Sequence, residues 1–335
     1  VFQANATSIN EYTRVINKDF TVNPDAQLTI SNKFGKIHIN NWDKNTVSFE
    51  IKVIVEASND NAAAKMLERI SVNFNASASL VEANTVIGEM NSQGRTHFQI
   101  DYTVNIPVGL NVDLTNKFGD IFLNEITGKA KVNLSYGSLD INKLNNSDNY
   151  IDLKFCNSAK IRSIKGAVVN LKYSTLDVDY AGSLRLDSKF SNLNASKVVA
   201  LNVSFEGGSV DVKNSSVVES RTKFSDLEID KIEQSLNLDI QYGSCDVREV
   251  GPECTSVNVH NRYADVDIRL PESLSYNLDA SMRFCELSFN ESIANLNYRS
   301  ITPTSSEYKG IVGGKEGKPK ANVVIRSEYG SVNLK

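Results

Sequence analysis

The sequence predicts an all-β protein, a single-stranded β-solenoid, and three observations carry that prediction. The first is a long period. An aromatic residue, a small residue and an alternating apolar–polar–apolar triplet recur from NKFGDIFL (116–123) to MRFCELSF (282–289). An early copy, NKFGKIHI, stands at 32–39, and a late one, SEYGSVNL, at 327–334. The anchors Phe118, Tyr136, Phe155, Tyr173, Phe190, Gly207, Phe224, Tyr242, Tyr263 and Phe284 are 18, 19, 18, 17, 17, 17, 18, 21 and 21 residues apart. A fixed period of this length marks stacked units that cannot bury an apolar side alone.

The second observation is a local period of two, the signature of a strand. Three and five residues after the anchor the chain is aliphatic, as at Leu139 and Ile141, Leu176 and Val178, Leu227 and Ile229. The residue between them is mostly polar, as at Asp140, Asp177 and Glu228. Two and four residues before the anchor it is again apolar, as at Leu134 and Val132 or Ile240 and Leu238. This alternation predicts that the anchor and its upstream partners point inward and that the residue just before the anchor points out. The third observation is turn chemistry: Gly, Ser, Ala or Cys follows each anchor, allowing the chain to turn between two strands. At Gly207 the expectation is that Phe205 fills the missing ring's volume. Coils stacked about 4.8 Å apart, wound right-handed, satisfy all three observations.

Residues 1–115 read as an N-terminal capping region. Three longer alternating stretches, Thr46–Ala57, Ser71–Ala78 and Thr96–Ile106, predict strands. Between the first two, Ala63, Met66, Leu67 and Ile70 form a helical stripe behind a capping Asn59 or Asp60. Trp42, the sole tryptophan, is expected to make a capping contact at the first coil. An open solenoid end exposes unpaired backbone, so long strands and a helix are expected to cover it. Residues 116–335 form the repeats, interrupted over 290–326. There, Gly313-Gly314-Lys315-Glu316-Gly317-Lys318-Pro319-Lys320 reads as a hairpin or tip loop, because its glycine spacing does not suit a phosphate loop.

Composition excludes several function classes. The 335 residues carry 36 Lys and Arg against 40 Asp and Glu, a net charge of −4, which argues against nucleic acid as a partner. No apolar run is long enough to span a membrane as a helix. Three histidines (His38, His97, His260) and four scattered cysteines (Cys156, Cys245, Cys254, Cys285) lack zinc-site spacing. Buried free thiols are expected, and no cofactor or metal. The start at Val1-Phe2-Gln3-Ala4 without Met reads as a chain whose export signal has been removed.

The copy NKFGDIFL, preceded by Asp101-Tyr102-Thr103-Val104-Asn105-Ile106-Pro107-Val108-Gly109, resembles the Bacteroidetes putative-adhesin family of the DUF4097/DUF2807 type. The resemblance runs from about residue 20 to the end of the chain. It implies an exported β-solenoid of the envelope, at the cell surface, on the outer membrane or in the periplasm. The family supplies no catalytic residues to carry over. Cys156, Ser174, Ser191 and Cys285 stand where many of its coils carry Gly.

The expected function is a binding or structural module without catalysis, with a surface polysaccharide or another envelope protein as partner. Its candidate site is a column of basic residues before the anchors. Lys154, Lys172 and Lys189 fall on successive repeats, where like charges are unfavourable unless anions lie nearby. That arrangement suits an anionic polymer, whereas Asp152, Asp187 and Asp239 on the same face can neutralise it. The row of carboxylates after the anchor suits Ca²⁺ or plain solvent. The alternative function is a carbohydrate-active β-helix enzyme, with Asp177, Asp211, Asp246 and Asp267 as its acids and Arg248 and Arg269 beside the last two. A groove with clustered, partly buried carboxylates would favour the enzyme, and a solvated ladder would favour binding.

Overall fold

The structure is a computed structural model that describes residues 10–89, 97–313 and 318–335. The described residues are all-β apart from one α-helix and one turn of 3-10 helix. The chain divides into two compact units, residues 1–160 and 161–335, each built on parallel coils.

In the first unit the coils present two rows of strands. One row runs Ile70–Ala76, Leu80–Ile87, Gln27–Lys33, Asn111–Lys117, Ala130–Ser135, Asn149–Lys154. The other runs Asn10–Thr21, Thr46–Ala57, His97–Pro107, Ile37–Trp42, Ile121–Ile126, Ser138–Leu144. Both rows are parallel except at the amino-terminal end, where Ile70–Ala76, Asn10–Thr21 and Thr46–Ala57 pair antiparallel. Residues 27–42 are therefore inserted between strands that follow them in sequence. The helix Asp60–Arg69 starts where the Asn59 side chain accepts from the Ala62 amide at 2.9 Å, and it buries Ala63 and Met66. Trp42 is half-buried and its Nε1 donates to the Thr46 carbonyl at 2.7 Å.

The second unit repeats the device at its far end. Residues Thr175–Val247 wind as one continuous ribbon. Side chains 17 residues apart bond across neighbouring coils, as Asn194 to Asp177 at 2.7 Å and Asn202 to Glu219 at 2.6 Å. The strand Ser256–Ile268 continues in register, Ser235 opposite Ser256 and Val247 opposite Ile268. The longer repeats absorb their extra residues in turns, one closed by the Cys254 amide on the Gly251 carbonyl at 3.1 Å. Strand Ala321–Glu328 then inserts between Ser256–Ile268 and Tyr276–Arg283, parallel to both. The hairpin Ala294–Ile301 with Ser305–Val312 lies antiparallel along Tyr276–Arg283. Residues 314–317 of the glycine-rich loop lie outside the described residues, as do Val1 to Ala4.

The interior is aliphatic, as the alternation predicts. Val132, Leu134, Leu139, Ile141, Leu238, Ile240, Val266 and Ile268 are all buried. The anchors are the correction. Phe118, Tyr136, Phe155, Tyr173, Phe190, Phe224, Tyr242, Tyr263, Phe284 and Tyr329 point outward and are 40–57% exposed. The cause is local. Each of them, and Phe34, has φ between 51° and 63°, and among the described residues no other non-glycine residue has positive φ. One left-handed residue breaks the strand alternation, so the ring swings out and the following residue takes the inward place. Cys156, Ser174, Ser191, Ser225 and Ala264 accordingly are buried. The hydroxyls of Ser174, Ser191 and Ser225 each donate at 2.9 Å to the carbonyl two residues back, bracing the corner. Phe205 is the exception that proves informative: it is buried in the interior, so it leaves the outer position at Gly207 unfilled.

Candidate functional site

Within each unit the ring-bearing anchors turn outward at corresponding corners, so the rings stack into exposed ladders. In the first unit Phe34, Phe118, Tyr136 and Phe155 follow one another with centroids 5.2, 5.0 and 4.8 Å apart. In the second, Tyr173 stacks on Phe190 at 5.4 Å. After the break at Gly207, Phe224, Tyr242, Tyr263, Tyr329 and Phe284 are spaced 4.9, 5.0, 4.9 and 4.9 Å, with planes within 14° of parallel. Tyr329 enters out of sequence order because its strand is the inserted one. Offset stacking covers the ring faces and leaves edges and phenolic hydroxyls to solvent.

The residues before the anchors form a basic margin along each ladder. Lys33 and Lys117 lie over Phe34 and Phe118 at 5.0 and 4.9 Å, and Lys223 lies over Phe224 at 5.3 Å. Lys154, in the first unit, and Lys172 and Lys189, in the second, are all exposed. Lys154 pairs with Asp152 at 2.7 Å. Lys189 pairs with Glu206 at 3.0 Å, and that hydrogen bond holds its pKa above the usual lysine value. Arg262 and Arg283 share Glu328 at 3.4 and 3.5 Å. In the second unit the column holds Lys172, Lys189, Lys223, Arg262 and Arg283 against Glu206 and Glu328, so cations outnumber acids.

Two other surfaces were singled out by sequence. The carboxylate row after the anchors is an ion-pair network: Arg248 reaches Glu228 at 2.8 Å, Asp246 at 3.7 Å, and also Asp230. Asp267 pairs with Lys335 at 3.1 Å. Burial, then the Glu228 charge, raises the pKa of Asp211 above the ordinary carboxylate value. Among the described residues no group of three or more His, Cys, Asp and Glu side chains is placed to hold a metal ion. A groove of about 680 Å³ does run along the second unit, lined by Asn170, Arg185, Asp187, Glu219, Arg221 and Asp239 among others. Its acids are solvated: Asp187 and Glu219 are exposed, Glu219 accepts from Asn202 at 2.6 Å, and Asp239 faces Arg221 at 3.5 Å. All four cysteines are free, and burial raises the pKa of Cys156, Cys245 and Cys254.

No family model and no curated protein matches the chain. Solved structures do resemble it. A putative cell adhesion protein of Clostridium sporogenes shares 11% identity over 98% of this chain and 99% of its own, with a TM-score of 0.21. A putative adhesin of Parabacteroides distasonis shares 8% identity over 96% and 97%, with a TM-score of 0.39. One of Parabacteroides merdae shares 10% identity over 96% of both chains, with a TM-score of 0.35. Likeness this distant leaves the function to be argued from the chain's own surface. Among the described residues no helix is long and apolar enough to cross a membrane.

The sequence identified the repeating anchors and the basic residues beside them, but assigned the rings to the interior. The missed signal is arithmetic. Inward positions four and two before the anchor and three and five after it are out of phase, so one residue between them must break the alternation. The small residue after each anchor marks where the crowded inner corner lies.

Proposed function

We propose that this chain is a non-catalytic binding module of the bacterial envelope, exported to the cell surface or periplasm, whose ligand is an extended acidic polysaccharide. The observation that supports this reading is the pairing of an exposed aromatic ladder with a basic margin. Ring edges carry the positive side of the aromatic quadrupole, so edges, phenolic hydroxyls and ammonium groups all favour an anionic, hydroxyl-rich polymer. The repeat matches a repeating ligand: most coils offer one ring edge and a charged residue before it, the exceptions being Ser135 before Tyr136, Gln241 before Tyr242 and the ringless Gly207. Lys154, Lys172 and Lys189 belong to this margin. The envelope location follows the resemblance to the Bacteroidetes adhesin-like family carried by the NKFGDIFL copy and the segment 101–109.

The test is retention on an immobilised uronic-acid polysaccharide. Replacing Lys154, Lys172 and Lys189 by Ser removes exposed contacts worth roughly 0.2–1 kcal/mol each, so retention should fall at least about threefold, and by up to about 150-fold if each contact is at the upper value, and become less salt-sensitive. Unchanged retention by the triple variant, or none by the parent protein, overturns the reading.

A further inference from the structure

The ladder of the second unit is interrupted once. Gly207 stands at an anchor position with φ +76, in the left-handed region shared by every ring-bearing anchor, but it has no side chain. Its neighbours Phe190 and Phe224 lie one coil to either side, so their attachment points are about 9.6 Å apart, twice the strand spacing. At 56% and 57% these are the two most exposed rings of the ladder, because each lacks a stacking partner on the side of the glycine. By contrast, Tyr242, Tyr263 and Tyr329 each have a ring stacked on both faces. Here two apolar faces border one slot.

The rims of the slot are polar. On one side stand Lys189, Glu206 and Lys223, with Lys189 bonded to Glu206 at 3.0 Å. On the other stand Asn192, Ser209 and Asp226. The Ser209 amide and hydroxyl both donate to Asn192 Oδ1 at 3.1 Å. We propose that this notch is a subsite that takes a single pyranose ring of a uronic-acid polysaccharide. A pyranose carries C–H groups above and below and hydroxyls around its equator. The notch has the complementary arrangement, apolar walls above and below and hydrogen-bonding side chains at both edges, with Lys223 for the carboxylate beside the Lys189–Glu206 pair. An aromatic side chain of a protein partner would fill the slot but leave those rims without new partners. Phe190 Cδ1 lies 2.8 Å from where a Gly207 Cβ would sit, so that ring must give way for the sugar to enter.

This subsite rests on the polysaccharide reading above, and the experiment separates the two. Binding of a panel of short uronic-acid oligosaccharides is measured by calorimetry for the parent protein, Gly207→Phe, the pair Phe190→Ala with Phe224→Ala, and the pair Lys172→Ser with Lys189→Ser. Gly207→Phe supplies the missing ring at a corner of the same left-handed kind as the other anchors, the flexible Phe190 ring having to shift from its 2.8 Å approach to the new Cβ. It should keep the parent's circular dichroism yet bind at least tenfold more weakly. The alanine pair removes the walls and should weaken binding similarly, which covers the case in which Gly207→Phe misfolds. Parent-like affinity in Gly207→Phe or, should that variant misfold, in the alanine pair overturns the notch. The ridge itself survives that result if the lysine pair still binds more weakly. Failure of the parent to bind any member of the panel, or any immobilised polymer, overturns both.

Discussion

Holding a Phe or Tyr at positive φ costs about 1–2 kcal/mol relative to ordinary strand geometry, and Gly or Asn would adopt it more readily. The chain nevertheless places rings at eleven such corners. Each stacked pair returns roughly 0.5–1.5 kcal/mol, and a ring inside the ladder has two partners. Strain and stacking can be separated at Tyr242, which lies between Phe224 and Tyr263 at 4.9 and 5.0 Å. Tyr242→Ala loses both stacks and keeps the strain, whereas Tyr242→Gly loses the stacks and relieves it. Urea midpoints should therefore place the glycine variant about 1 kcal/mol above the alanine variant. An alanine variant as stable as the glycine one would contradict a strained corner. At this scale the sequence displayed the aromatic positions plainly but not their direction, because a ring in a repeat is read as core until its phase against the aliphatic residues is counted.

Strands and helix were the most legible elements. The limits Thr46–Ala57 follow from alternation alone, and the helix Asp60–Arg69 starts at its capping asparagine. Spatial order was not legible. Alternation states that Ala321–Glu328 is a strand, but nothing local states that it inserts between two strands made before it. That insertion satisfies the backbone of both neighbours and buries Ala321, Val323 and Ile325. A chain ending at residue 312 leaves a slot between Ser256–Ile268 and Tyr276–Arg283. Such a chain should melt well below the parent, and a peptide of residues 318–335 added in trans should restore much of the loss. No restoration at millimolar peptide would mean that the strand is not a separable insert.

Charge and burial set how the whole chain answers to pH. Burial pushes the phenols of Tyr102, in the first unit, and Tyr276, in the second, up to about 12. The unfolded chain releases the same protons near pH 10, so the native state binds more protons between these values. Each phenol's contribution is therefore full below about pH 10 and is lost as pH climbs toward 12, a change of roughly 2–3 kcal/mol. Tyr276→Phe should show a smaller fall in the second unit's urea midpoint between about pH 8 and about pH 11.5 than the parent. An equal fall would show that this phenol's ionisation is not coupled to folding.

The regular ring spacing also gives the protein an optical gauge. Tyr242, Tyr263 and Tyr329 lie face to face with planes within 2° of parallel, so their electronic transitions couple as one chromophore. The sole tryptophan, Trp42, belongs to residues 1–160, where its emission reports on that unit alone. Fluorescence from the indole thus times the loss of the first unit, and the part of the near-ultraviolet dichroism that changes out of step with it times the loss of the tyrosine stack in the second, without any added label.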